Sequence, residues 1–390
     1  MLAHKYTVTL GGWYQRTTLH LTEIHDFFAL GTSRLALNEK KLKDFHQNLG
    51  IKSADRLSEN LEYVQAQTDE GIVIKYFEDG LYILELDSSD IHKAQISLSK
   101  YFGETFEPAI SYIFSLGAPT PKILANIKIN HPTAVSLRGM KLADFRLDTK
   151  KFGKTYSKFT AGKSTVYKTP GYIFVVSDAN EELLDHLVET QVFFREFKDQ
   201  LERYLNIHRS IWEEIADIKE RGEVKGGEVS EIRVKLDSYQ KTIDLITNRI
   251  NQMGSYINTR RNIAKTEKIE DELDELFQYK FETLNDTHTY IKELWKMTSN
   301  YLDSATKIFT EMENKSTANN IRSLQVITTV GVISGILGYL ARDEIPQVNV
   351  FGILYFAILL AATWGTNKAV SIVFARRKYK INFTERAKNI

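Results

Sequence analysis

Apolar and polar residues are distributed differently in three parts of the chain. Up to about residue 178 the apolar residues fall in short runs rich in β-branched and aromatic side chains. These are Tyr6–Leu10, Thr17–Leu21, Gly71–Phe77, Leu81–Leu86, Ala109–Ser115, Ile123–Ile129, Ser164–Lys168 and Tyr172–Ser177. Each predicts a strand. Glu78-Asp79-Gly80 separates two of them and predicts a hairpin turn. Helix-like stretches, Leu21–Leu49 and Ser89–Phe102, lie between the strands. Interleaved strands and helices predict one layered αβ domain over residues 1–178.

From about Asn180 the strand pattern stops. Glu181–Glu220 and Ser230–Ala264 are long, charged and heptad-like, and Arg221–Glu228 between them reads as a turn joining antiparallel helices. A third helical stretch starts near Lys268 and meets no Pro or Gly before Gly331. Residues 179–323 therefore read as a helical stalk domain.

The third pattern begins at residue 324. Leu324–Ala341 and Val348–Gly365 are each 18 residues without a charge. As a helix each run covers ~27 Å, against a hydrocarbon core of ~30 Å. Trp364 stands near the end of the second run, and Lys368 follows within reach of an interface. The residues 376–390 carry six Lys or Arg, and the short loop 342–347 carries only Arg342. The expectation is a transmembrane hairpin over 324–390 with the lipid bilayer as partner. By charge asymmetry, both termini would be cytoplasmic at a cell inner membrane. The alternative is a buried helical hairpin in a core.

Composition adds little to this and excludes much. Of 390 residues, 43% are hydrophobic and 26% charged; 51 Lys and Arg almost cancel 50 Asp and Glu. That balance does not suggest a nucleic-acid partner. With no cysteine, thiol catalysis, disulfides and Cys-based metal sites are excluded. The beginning of the sequence shows no apolar signal-peptide core.

The first expected span carries the candidate site. Asn314, Thr317, Asn320, Leu324, Thr328, Gly331, Gly335 and Gly338 recur at helical spacing, and all but Leu324 are small or polar. Such a stripe suits either the lining of a water-filled path or close helix packing. Two helices cannot enclose a pore, so lining requires a homo-oligomer. Leu324, with Ile321 or Leu340, would then form hydrophobic constrictions. Tyr339, Leu340, Asp343 and Glu344 would stand at the pore mouth.

The order of parts, with Ile333-Ser334-Gly335-Ile336-Leu337-Gly338 and Arg376-Arg377-Lys378, resembles the CorA-type magnesium transporter family over roughly residues 290–380. The resemblance implies an α+β cytosolic domain on a helical stalk, a homopentamer, and Mg2+ as the transported or regulatory ion. It departs at the family's Gly-Met-Asn, where this chain has Gly338-Tyr339-Leu340. Leu340 lacks the oxygen that the family's Asn presents to a hydrated ion. By the same resemblance, Asp303 would be a regulatory metal ligand.

Three other signals are weaker. Ala161–Thr165 looks like the end of a phosphate loop, but Ser157 stands where its first Gly belongs. The lysines at 150, 151, 154, 158, 163 and 168 suit either an anionic ligand or a solvated surface. The acids at 270–275 suit a helix N-terminus. No catalytic constellation appears, so an enzyme is not expected. Three functions are carried forward: a divalent-cation channel or transporter gated by its cytosolic domain, a pore effector of type III CRISPR defence opened by a nucleotide second messenger of the SAM-AMP kind, and a non-conducting, membrane-tethered coiled-coil scaffold. A small-molecule or nucleotide ligand of the cytosolic domain is expected in the first two.

Overall fold

The computed structural model describes residues 6–14, 20–116, 133–137, 142–178, 181–340 and 350–380. It is an α+β protein. Nine strands form one mixed sheet in the order β2-β3-β4-β5-β1-β6-β9-β8-β7. They are β1 (Tyr6–Trp13), β2 (Ile51–Ser58), β3 (Glu62–Thr68), β4 (Val73–Phe77), β5 (Leu81–Ser88), β6 (Thr133–Leu137), β7 (Ser157–Ala161), β8 (Ser164–Lys168) and β9 (Tyr172–Ser177). Neighbours are antiparallel except β6 and β9, which run parallel with Val135 opposite Phe174. The expected hairpin forms at residues 78–80: Tyr76 pairs with Tyr82 across it. Gly80 there has φ +90, and an added Cβ would lie 1.9 Å from the Tyr14 carbonyl oxygen, so only glycine fits.

Helices α1 (Leu21–Leu30), α2 (Glu39–Leu49), α3 (Ile91–Tyr101) and α4 (Glu107–Ile113) cover one face of the sheet. Phe27, Phe28, Leu98, Phe106 and Ile110 pack there against Val8, Val64, Ile74 and Leu84. The stretch Leu21–Leu49 is two helices rather than one, because Gly31 at φ +64 closes the first with a left-handed cap. Residues Ala109–Ser115 are helical rather than a strand: Pro108 stands in the first turn of α4, where its fixed φ suits a helix. The expected strand Ile123–Ile129 lies outside the described residues. A short helix, α5 (Thr149–Phe152), is capped by Asp148.

The long helices are α6 (Glu181–Glu220) and α7 (Gly226–Thr266), then α8 (Glu270–Phe277), α9 (Phe281–Leu340) and α10 (Val350–Arg376). The third helical stretch is broken near its start, at Gln278 with φ +62. The chain divides into two compact units, one of residues 1–206 and 246–293, the other of 207–245 and 294–390. In the first, α6 crosses the second face of the sheet. Val192 approaches β1 so closely that a Cβ on Gly11 would lie 2.6 Å from it. Phe197 packs on Trp13 at 5.4 Å.

The second unit is a helical bundle with a small sheet. Trp212 on α6 stacks on Tyr301 of α9 at 4.9 Å, and Trp295 of α9 meets His208 of α6 edge-on at 5.8 Å. Strand β10 (Glu223–Lys225), in the α6–α7 turn, pairs antiparallel with β11 (Lys378–Lys380), which follows α10. Lys378 donates to Glu223 at 3.0 Å, and the Gly226 amide donates to the Arg377 carbonyl at 2.8 Å.

The two-span expectation is corrected here. Among the described residues no helix is long and apolar enough to cross a membrane. Within the described residues α9 runs to Leu340 and α10 runs from Val350. Within α9, Gln325, Thr328, Thr329 and Ser334 interrupt the apolar residues. The reading as a membrane protein and ion channel, and the inner-membrane location, rested on those spans and fall with them.

Buried histidines give the fold a pH dependence. His288 Nε2 donates to the Ile250 carbonyl at 2.6 Å, and His208 Nε2 lies 2.6 Å from the Thr298 hydroxyl. Burial lowers both pKa values, against the opposing pull of the Ile250 and Leu294 carbonyls. An unfolded histidine protonates near 6.5. Below that pH the unfolded chain binds more protons than the native one, so stability is lost as pH falls. Glu196, pushed up to about 7 by burial despite Arg195 beside it, acts in the opposite sense over the same window. The difference between variant and parent therefore isolates each histidine. We expect the stability of His288→Asn to fall less than that of the parent between pH 7 and 5. Urea unfolding at the two pH values measures this; equal losses would show that His288 does not titrate there.

Candidate ligand pocket

One cavity of the first unit has the size and lining of a binding site, with a volume of about 310 Å3. Four segments form its wall. The β2–β3 connection and β3 supply Glu59, Asn60, Leu61 and Tyr63, and β4 supplies Lys75 and Phe77. The first turns of α6 supply Glu181, Glu182, Asp185, His186, Glu189 and Thr190, and the end of α7 supplies Arg260 and Ile263. The helical period places 181, 185 and 189 on one face of α6, and acids near a helix N-terminus are favoured by its dipole.

The cations of the wall are engaged within the protein. Lys75 lies 2.6 Å from Glu189 and 3.8 Å from Glu85. Burial disfavours its ammonium, but Glu189 and Glu85 outweigh that and hold its pKa above the usual lysine value. Arg260 grips Asp79 through two hydrogen bonds of 2.7 and 3.1 Å. Its guanidinium lies over the rings of Phe77 and Phe193 at 4.8 and 5.3 Å. At the rim, Asn60 donates to Glu267 at 2.7 Å, and the Tyr63 hydroxyl donates to Glu59 at 3.2 Å. Burial, and then Glu59, push the Tyr63 phenol up to about 12.

Five carboxylates thus face two engaged cations and a histidine, with Leu61, Tyr63, Phe77 and Ile263 as an apolar side. Such a cavity suits a small ligand held by a few polar groups.

The residues singled out from the sequence lie elsewhere. Asn314, Thr317, Leu324, Thr328, Gly331 and Gly335 are exposed on α9, and Asp303 is exposed nearer its start. The Thr328 hydroxyl is satisfied by the Leu324 carbonyl at 2.8 Å. Asn320, Gly338, Tyr339 and Leu340 belong to α9, but their side-chain environments lie outside the description, as do Asp343 and Glu344 altogether. Among the described residues, no three His, Cys, Asp or Glu are grouped so as to hold a metal ion. The structure thus brings no described partners to Asp303 for Mg2+. The phosphate-loop look-alike is the turn of the β7–β8 hairpin, with Ala161 opposite Ser164. The acidic run is α8, where Glu270 pairs with Arg261 at 3.0 Å and Asp274 with Lys280 at 3.1 Å.

Sequence reasoning missed the pocket. Its one linear trace is the acidic spacing at the start of α6; Lys75 and Arg260 join it only through the fold. No family model, curated protein or solved structure matches this chain.

Proposed function

We propose that this protein is a ligand-responsive, self-associating protein rather than an enzyme. The pocket of the sheet unit receives a small molecule, and the helical unit joins copies of the chain. The observation that carries the reading is the cavity of about 310 Å3, walled by charged and apolar side chains from four segments. Self-association is supported by the outer surface of the helical unit. Val332 and Ile333 on α9 are 54% and 50% exposed, and Leu354, Ile358 and Val373 on α10 are 58%, 59% and 66% exposed. Gly331 and Gly335 present open backbone there, with nothing within 4 Å of an added Cβ. Exposed apolar residues in such number mark an interaction surface. Helices α6 and α7 contribute residues to both units. A ligand that prefers one arrangement of such helices shifts the population toward it.

The test is a calorimetric titration with a panel of small amines, nucleotides and carboxylates, paired with sedimentation equilibrium. We expect at least one class to bind in the sub-millimolar range. We also expect a mass of several copies that falls toward one copy in Ile358→Glu. No binding by any class would remove the pocket reading. A one-copy mass for the parent at micromolar concentration would remove the self-association.

A further inference from the structure

We infer that Lys168 is a site of covalent modification, acylated at Nζ by small activated acyl compounds. The inference is independent of the pocket and rests on the surroundings of one amine. Lys168 is the last residue of β8, opposite Ser157 of β7 and one step from the β8–β9 turn. Strand alternation sets its side chain on the same side of the sheet as Phe159, its diagonal neighbour on β7. Helix α8 ends beside it. Gln278, with φ +62, turns the chain there, and the Phe277 and Tyr279 rings stack with centroids 5.7 Å apart. Tyr279 is itself stacked on Phe194 of α6 at 5.0 Å, so both neighbours hold it in place.

The Lys168 nitrogen therefore lies among three rings, 5.6 Å from the centroid of Phe159 and 5.8 Å from those of Phe277 and Tyr279. It donates to the Phe277 carbonyl at 3.4 Å. Among the described residues no carboxylate is paired with it. Acids of α8 pair elsewhere, Glu270 with Arg261 and Asp274 with Lys280. Rings at these distances stand near the ~6 Å limit of a useful contact with a cation. They do not replace the water and the counter-charge that an ammonium loses on burial. Burial accordingly lowers the Lys168 pKa below the usual lysine value. Lys75 is the contrast: it is also buried, but Glu189 and Glu85 keep it charged. Lys168 is partly exposed, so a reagent from solvent can reach its nitrogen.

The reaction needs only the neutral amine. Its lone pair attacks the acyl carbon, and a C–N bond forms. The bond from that carbon to a phosphate oxygen or a thiol sulfur breaks, and the leaving group departs with the electron pair. The surplus proton on nitrogen passes to water. The product amide is neutral, which suits the rings, and it keeps an N–H that can donate to the Phe277 carbonyl. Lys154, Lys158 and Lys163, exposed on and beside the β7–β8 hairpin, favour an anionic acyl donor.

The experiment exposes the whole chain to acetyl phosphate and, separately, to acetyl-coenzyme A. Mass spectrometry after digestion follows acetylation of each lysine between about pH 7 and pH 10. Near pH 7.5 Lys168 should react at least about threefold faster than the exposed Lys163, because a lowered pKa leaves more free amine. Lys75 should react slowest. The Lys168 rate should also level off at a lower pH than that of Lys163. Whichever donor gives the larger ratio of Lys168 to Lys163 identifies the source of the acyl group. A ratio of one or less with both donors would overturn the inference. Phe159→Ser, at a half-buried position on the edge strand β7, separates environment from access. It lets water reach the nitrogen, so the ratio should fall toward one. A ratio that rises instead would show that access alone limits Lys168, and would also overturn the inference.

Discussion

Arg260→Met is expected to lower the unfolding free energy by about 3–5 kcal/mol, the usual cost of leaving one member of a buried ion pair alone. Asp79 is 1% exposed and lies in the β4–β5 turn. Without Arg260 its carboxylate would keep only the Leu81 amide, 3.1 Å from Oδ1. Arg260 also contributes through its flat contacts with Phe77 and Phe193, which Met would partly replace. The reverse change, Asp79→Leu, should be at least as damaging, since it strands a guanidinium and loses the amide contact that shapes the turn. The double variant Asp79→Leu with Arg260→Met should recover part of the loss, because two apolar residues leave no unpaired charge. Urea unfolding of the three variants decides this. A loss below about 1 kcal/mol for Arg260→Met would mean the site is wet enough to solvate Asp79.

The second large effect belongs to the helical unit. Trp295→Ala should cost about 3–5 kcal/mol, as expected for removing a fully buried aromatic ring. Trp295 is 0% exposed and meets His208 edge-on. Its indole N–H is buried with no hydrogen-bond partner, a standing cost of about 1–3 kcal/mol. Trp295→Phe should therefore cost much less than Trp295→Ala, because it keeps an aromatic ring and removes the orphan donor. Thermal or urea unfolding with a probe in the helical unit would show the difference. Equal losses for Phe and Ala would show that indole shape, not ring burial, governs the site.

Local signals were legible where one residue fixes the backbone. Gly80 marked the hairpin, and its positive φ leaves no alternative. Gly31 had the same power but stood inside a stretch whose apolar period continued past it, so two helices read as one. Strand β2 was invisible: Lys52, Asp55 and Arg56 on a sheet edge give it no apolar alternation, and edge strands carry charge for good reason. The break at Gln278 had no Pro or Gly to announce it. The apolar runs after residue 323 showed hydropathy but not where α9 and α10 lie within them. The pocket was the least legible feature. Its acids sit at a helix start, where acids are ordinary, and only the sheet brings Lys75 to them. Compactness misleads as well, since residues 246–293 belong with the sheet unit and 207–245 with the later helices.

The strand Lys378–Lys380 has a consequence for how the chain is made. Its partner lies 155 residues earlier, and closing a flexible loop of that length costs about 4–5 kcal/mol in chain entropy. Three residue pairs cannot offset that alone, so β11 docks only after the helices between have packed and shortened the loop. During synthesis β10 is therefore a strand without a neighbour until residues 378–380 have been made. The described strands of the large sheet, by contrast, have all been made by Ser177, some two hundred residues before β11.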